Sequence, residues 1–377
     1  MHDELHPSTV AITAGRGDRR PAAPTNLPVT LSSTFHAGGD LIYGRYGNPN
    51  WSALEEVLGA LEGGRSLVFS SGMGAISAVL ERLPVGSTVV MPFDAYLGTR
   101  KFVYEAAEDG RLNYREADVA DTAATLRDCE GADLLWLESP TNPLMSVADI
   151  ATLAEGAHDL DGMVVVDNTF ATPLLQRPLD LGADIVVHST TKYLNGHSDS
   201  VGGAVVLARA EHAERIQFVQ NSVGAILSPF DSWLVLRGLK TLPLRMRAHD
   251  DNGLKVSRFL EGHARVARVL YPGLPSHPQH DLARRQTSGS GGMISFYLKS
   301  DEAALRFFEP LRLCALAESL GGIETLICQP STMTHASVPR EERRKLGLTD
   351  SLVRISVGCE DVEDILADLE KGLAAAA

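Results

Sequence analysis

The chain has 377 residues, enough for about two domains, with 44% hydrophobic and 22% charged residues and no bias toward disorder or collagen-like repetition. A formal net charge of -14 gives the attraction that holds nucleic acid or an anionic membrane the wrong sign, so any phosphate is expected to be bound locally. The four cysteines, Cys129, Cys314, Cys328 and Cys359, show no C-x-x-C spacing and read as reduced packing thiols, with no metal signature, and no apolar run approaches the roughly 18 residues of a membrane span.

The opening "MHDELHPSTVAITAG" carries acidic residues where a signal peptide needs basic ones, so a cytoplasmic location is expected. Pro-rich, aperiodic sequence through "RRPAAPTNLPVT" predicts an extended arm over residues 1–45. "NPNWSALEEVLGALEGG" then sets Trp51, Leu54, Leu58 and Leu61 on one helical face, with Asn50 able to cap the start and Gly63 to end it. From residue 66, short apolar runs ("SLVFS", "TVVMP", "LLWLE", "MVVVD", "DIVVHS", "AVVLA") alternate with segments of helical length. Hydrophobicity that is continuous within each strand means both sheet faces are covered, which predicts a mainly parallel α/β sheet over residues 46–244. "SPFDSWLVLRGLKTLPLRMRAHD" reads as one long helical stretch. "RVLYPG", "GGMISFYLK", "LVRISVG" and the amphipathic "DVEDILADLEKGLAAA" follow, which predicts a smaller α+β domain over residues 245–377.

In sheets of this kind chemistry gathers at the carboxyl ends of the strands, where Glu138, Asp167 and Lys192 fall. "LVFSSGMGAIS" is a strand, a Gly-rich turn and a helix start, a geometry that offers backbone N–H groups and a positive dipole end to an anion. Gly72 and Gly74 with Asp94 also match part of a dinucleotide fingerprint, but Ser77 stands where its third glycine belongs, and a plain tight turn explains the stretch as well. Asp167 ends a buried strand, where a carboxylate asks for a cation, unless it is a capping aspartate. Lys192 follows Ser189, Thr190 and Thr191; taken alone it is a solvated surface lysine. Joined together, a lysine, an aspartate, hydroxyls and a Gly-rich helix start are the parts that hold pyridoxal 5'-phosphate (PLP): an amine for its aldehyde, an acid for its ring nitrogen and donors for its phosphate.

The chain resembles the Cys/Met-metabolism (transsulfuration) family of PLP enzymes, most closely its cystathionine γ-lyases and γ-synthases. The resemblance runs nearly end to end: "YGRYGNP", "SSGMGA", "ESPTNP", "VVDNTF", "HSTTKYLNGHSD", "SPFDSWLVLRGLKTL", "YPGLPSHPQH", "LAESLGGIETL", "MTHASVP" and "VRISVGCE" occur in family order. It implies an aminotransferase-like fold (fold type I). Lys192 would carry the cofactor and Asp167 would pair with its ring nitrogen. Gly72, Met73, Ser189 and Thr191 would hold the phosphate, joined by Tyr43 and Arg45 from a neighbouring subunit. Tyr96 would stack on the ring and relay protons. Asn142, Ser319 and Arg354, beside Glu318, would fix the substrate carboxylate or the ring oxygen. Bland alternatives stand beside these roles: a salt bridge for Arg354, a turn for Tyr43 and Arg45, plain packing for Tyr96.

The resemblance also implies a small sulfur-containing amino acid as substrate and a homotetramer of dimers that share sites. Cleavage of L-cystathionine to L-cysteine, 2-oxobutanoate and ammonia is the first expectation. Replacement of the γ-substituent of an O-acyl-L-homoserine by cysteine is the second. Gly98 stands where methionine γ-lyases carry a cysteine, which ranks that activity third, and a specialised biosynthetic relative and an NAD-binding protein rank behind. Leu97 and Lys101 depart from the family's Y-G-G-T-x-R, which predicts a bulkier wall and a different cation beside the substrate.

Overall fold

Apolar runs that alternate with helices build a seven-stranded sheet in the computed structural model, which describes residues 5–17 and 19–376. Residues 1–4 and 18 of the expected arm, and residue 377, lie outside the described residues. The strands are β1 (Arg65–Phe69), β2 (Ser87–Pro92), β3 (Leu112–Ala117), β4 (Leu134–Glu138), β5 (Met163–Asp167), β6 (Ile185–Ser189) and β7 (Gly203–Leu207). They are ordered β1-β7-β6-β5-β4-β2-β3. Strands β2 to β6 pair in parallel, and β7 is antiparallel to both of its neighbours, β1 and β6.

Alternate residues of these strands enter different cores, as their period of two requires. Val89, Trp136, Val165 and Val187 pack with Ile76 and Val79 of the helix Gly72–Leu80 on one face. Val90, Leu135, Val164 and Val166 pack with Ile150 and Leu153 of the helix Ile150–Asp159 on the other. The expected parallel α/β sheet is therefore present, buried on both faces.

A second sheet of five strands follows: β8 (Val266–Leu270), β9 (Met293–Leu298), β10 (Ala315–Leu316), β11 (Leu326–Cys328) and β12 (Leu352–Ser356), in the order β10-β11-β12-β9-β8. Its apolar side packs against the helices Leu242–Gly262 and Val362–Ala375 through Val256, Leu260, Ile365 and Leu369.

Three local expectations are corrected. The arm is not extended throughout: Pro7–Thr13 is a helix, started by Pro7 and by the His6 ring, which accepts from the Ser8 N–H, and it buries Val10 and Ala11. The helix Pro49–Glu62 is capped by Asn48, not Asn50; Asn50 is buried inside it and bonds back to Pro28 and Thr30 of the arm. The single long helical stretch is two helices, Pro229–Leu239 and Leu242–Gly262, separated at Lys240 and Thr241, where Pro243 starts the second. The second of these runs straight through residue 245, the expected domain boundary.

Candidate active site

The carboxyl ends of β4, β5 and β6, the N-terminus of the helix Gly72–Leu80 and the centre of β12 converge on a cavity of about 390 Å³. Lys192, Asp167, Tyr96, Gly72, Met73, Ser189, Thr191, Asn142, Glu318, Ser319 and Arg354 all line it. Residues more than 280 positions apart in the chain meet here because β12 of the five-stranded sheet and the 318–320 segment lie over the strand ends of the seven-stranded sheet. Tyr43 and Arg45 do not line the cavity of their own chain. Arg45 donates to the Asn221 carbonyl at 2.8 Å and stacks on the Tyr46 ring at 4.6 Å.

The turn at Ser319, which lies against Lys192, is under backbone constraint. Ser319 adopts a φ of 97°, a left-handed value uncommon for a residue with a Cβ. Its hydroxyl sits 2.6 Å from the Lys192 Nζ, and its carbonyl accepts from Arg354 Nη2 at 3.0 Å. Arg354 is 3% exposed, and its Nη1 donates to Asn142 Oδ1 at 2.9 Å. Its bonds to neutral acceptors hold the fork in place and leave its charge for an incoming anion. Burial, with Arg354 adding to it and Glu318 opposing, pushes the Lys192 amine down to about 8.

At the opposite end, Ser71 caps the helix Gly72–Leu80 by accepting the Gly74 N–H at 3.0 Å. The first turn leaves N–H groups with no intrahelical acceptor, facing the cavity corner beside Ser189 and Thr191. A Cβ on Gly72 would lie 3.0 Å from Ser189 Cβ, and one on Gly203 of β7 would lie 2.2 Å from the Ser71 carbonyl oxygen, so this corner is drawn tight by two glycines. The Thr191 hydroxyl is bonded to Gly202 at both its N–H and its carbonyl, which makes Thr191 a brace for the corner as well as part of its wall.

Between the two ends lies Asp167, 9% exposed, which accepts the Thr169 N–H at 3.0 Å. Burial raises its carboxyl above the ordinary range, with the Thr169 bonds and nearby His188 opposing. Among the described residues no lysine or arginine forms an ion pair with it, so the acid has room for a cationic partner from outside the chain. Tyr96 stands 42% exposed at the cavity mouth; burial of its ring and the charges of Asp167, Glu138 and Glu318 raise its phenol above the usual value.

These features fit PLP: a tight anion corner, a buried acid lacking a cation and a poorly solvated lysine stand in one cavity. They do not fit a dinucleotide, because Asp94, the expected ribose partner, is 1% exposed and bound to Thr141 Oγ1 at 2.5 Å. Leu97 lines the cavity as the bulkier wall expected, whereas Lys101 is exposed and lines a separate surface cleft with Glu105 and Asp109, so it is not a cation beside the substrate. Sequence reasoning missed Ser71, Thr169, Thr334 and His335 as wall residues. The last two sit inside "MTHASVP", which supplied a signal without a role.

Fold and site together define a PLP-dependent enzyme of fold type I. A family model described as Cys/Met metabolism PLP-dependent enzyme matches residues 8–374, and the chain belongs to that family. It is 46% identical over 380 residues to a cystathionine gamma-lyase of Dictyostelium discoideum, covering 97% of each chain. It is 44% identical over 374 residues to a cystathionine beta-lyase of Lactococcus lactis, covering 97% of this chain and 98% of the relative. Among solved structures, cystathionine gamma synthase from Xanthomonas oryzae pv. oryzae in complex with cystathionine superposes with a TM-score of 0.94 at 44% identity, over 99% of this chain and 98% of the other. Among the described residues no helix is long and apolar enough to cross a membrane.

Proposed function

We propose that this enzyme cleaves L-cystathionine and water to L-cysteine, 2-oxobutanoate and ammonia by elimination at the γ-carbon. The observation that carries the reading is the placement of Lys192, Tyr96 and Arg354 around one cavity, an arrangement that can fix an amino-acid carboxylate while two proton carriers reach its side chain. When bound, PLP supplies an electron sink for the substrate's α-carbon. Arg354, held by Asn142 and Ser319, receives the α-carboxylate and so orients the carbon chain. Lys192, whose amine burial lowers to about 8, loses its proton far more readily than an ordinary lysine and takes the α-proton; the same amine then serves the β-carbon. Tyr96 keeps its phenolic proton across the working range and delivers it to the departing sulfur. Asp167 would pair with the cofactor's ring nitrogen, and the tight corner of Gly72, Met73, Ser189 and Thr191 would hold its phosphate.

The second reading is γ-replacement, in which cysteine adds after an acyl group has left. Its support is the gamma synthase that superposes over nearly the whole chain. The same side chains serve both outcomes. Release of 2-oxobutanoate from cystathionine, measured against cystathionine formation from an O-acylhomoserine plus cysteine, tests the choice. Faster cleavage supports the lyase; rapid synthesis with negligible cleavage overturns it.

A homo-oligomer completes the proposal. Leu31, Ile42, Tyr46, Phe218 and Val223 are each more than half exposed, a cost that a second copy of the chain would remove. In such an assembly Tyr43 and Arg45 would enter a neighbouring cavity near its phosphate corner.

A further inference from the structure

The ladder between β4 and β5 ends on a pair of acids, Glu138 opposite Asp167. Residues paired in register present their side chains on the same face, about 5 Å apart, the spacing of neighbouring strands. Glu138 is 5% exposed and lines the cavity. The groups that face it are Asp167 from β5, Asp94 from the end of β2, Tyr96 from the start of the helix Leu97–Glu108, and Arg354 from β12. Of these, Arg354 is the cation; its guanidinium bonds to Asn142 and Ser319, and among the described residues it makes no ion pair with Glu138 or Asp167. Two adjacent buried carboxylates with no cation between them resist being ionised together. Glu138 also has a structural bond that needs no charge: its Oε2 accepts the Tyr96 N–H at 2.7 Å. That contact anchors the helix Leu97–Glu108 by the N–H of its N-cap residue, Tyr96, whose own side chain makes no cap.

We propose that Glu138 is a positioning residue that works as a neutral carboxylic acid. One oxygen holds the Tyr96 backbone, the protonated oxygen donates a hydrogen bond within the cavity, and the negative charge of the pair is left to Asp167. Burial and the charge of Asp167, which together push the Glu138 carboxyl well above its ordinary range, act in the same direction. The pair is a division of labour between like groups: an ionised acid for the cofactor's ring nitrogen, and a neutral one that places the tyrosine. The inference rests on the assignment of Asp167 to the ring nitrogen, but not on which γ-substituent leaves.

Infrared difference spectroscopy of the holoenzyme at pH 8 tests it. Asp94, pushed up to about 6 by burial, and Glu55, pushed up to about 7, are mostly ionised at that pH and do not mask the band. The expected result is a protonated-carboxyl C=O stretch in the native enzyme that is absent from Glu138→Gln and kept in Asp167→Asn. Loss of carboxylate bands instead, or a C=O stretch that survives in Glu138→Gln, overturns the proposal. Should Glu138→Gln fail to fold, Glu138→Asp gives the same reading by shifting the stretch. Cofactor affinity is a second readout. Glutamine mimics both hydrogen bonds of a neutral acid, so Glu138→Gln keeps affinity within about threefold, whereas Glu138→Ala strands the Tyr96 N–H and loses about tenfold. Equal losses in both variants contradict it. A failure of the lyase assay would leave the infrared band untouched, so the two readings fail separately.

Discussion

Lys192 is made reactive by what surrounds it. Its amine would hold its proton to near 10.5 in water; burial and Arg354 bring it to about 8, and Glu318 pulls the other way. Imine formation requires the neutral amine, so the rate at which apoenzyme captures PLP rises with pH and levels off above about 8. Removing a nearby positive charge favours the protonated amine, so Arg354→Met moves that midpoint upward. Glu318→Gln removes a negative charge and moves it downward. Stopped-flow absorbance across pH reads both shifts; midpoints that stay fixed would show that these charges do not act on the lysine. For substrate, Arg354→Lys retains the charge and loses the two-pronged grip, which raises KM by roughly tenfold with a smaller change in kcat. The places of Lys192 and Asp167 at the cavity were legible at this scale because one follows and the other ends a recognisable apolar strand. Glu138 was legible only as a strand end, since its proton state depends on a neighbour that is 29 positions away in sequence and adjacent across the ladder.

Elements position these side chains by close backbone approach. Strand β7 passes under the Ser71–Gly72 turn so tightly that a Cβ at Gly203 would fall 2.2 Å from the Ser71 oxygen and 2.9 Å from Gly72 Cα. Gly203→Ala must therefore push the turn and the first N–H groups of the helix Gly72–Leu80 out of place. The expected outcome is a loss of PLP affinity of tenfold or more, measured by titration of the apoenzyme, with the five-stranded sheet intact. The six apolar runs read as strands are all strands, because burial on both faces requires the uninterrupted hydrophobicity that sequence displays. Strand β3, an edge strand buried only at its two ends, lacks that signal, and β10 has just two residues, so neither announced itself. The helix in the arm was hidden for a related reason. Its stability comes from Val10 and Ala11 packing on the helix Pro49–Glu62, not from a periodic face of its own.

At the scale of the whole molecule, the cavity gathers side chains from the parts of the chain that carry the two sheets, and neither part alone holds Lys192 against Ser319 or Arg354 against Asn142. Those contacts were beyond sequence reading without the family resemblance, since their partners lie 127 and 212 positions apart. The exposed apolar residues of the arm and of the helix Ala213–Val223 carry the expectation one level higher, to shared sites. If Arg45 serves a neighbouring cavity, Lys192→Ala and Arg45→Ala chains, each nearly inactive alone, regain activity when co-assembled, because every mixed dimer contains one site with both native residues. Failure to regain activity in verified mixed assemblies would place Arg45 outside the catalytic unit.

The most direct measurement traces the cofactor to its amino acid. Purified enzyme reconstituted with PLP is reduced with borohydride, digested and mapped by mass spectrometry. The account requires loss of the visible absorbance and a single pyridoxyl adduct on Lys192, absent from Lys192→Ala. An adduct on another lysine, or a visible band that survives in Lys192→Ala, would contradict it.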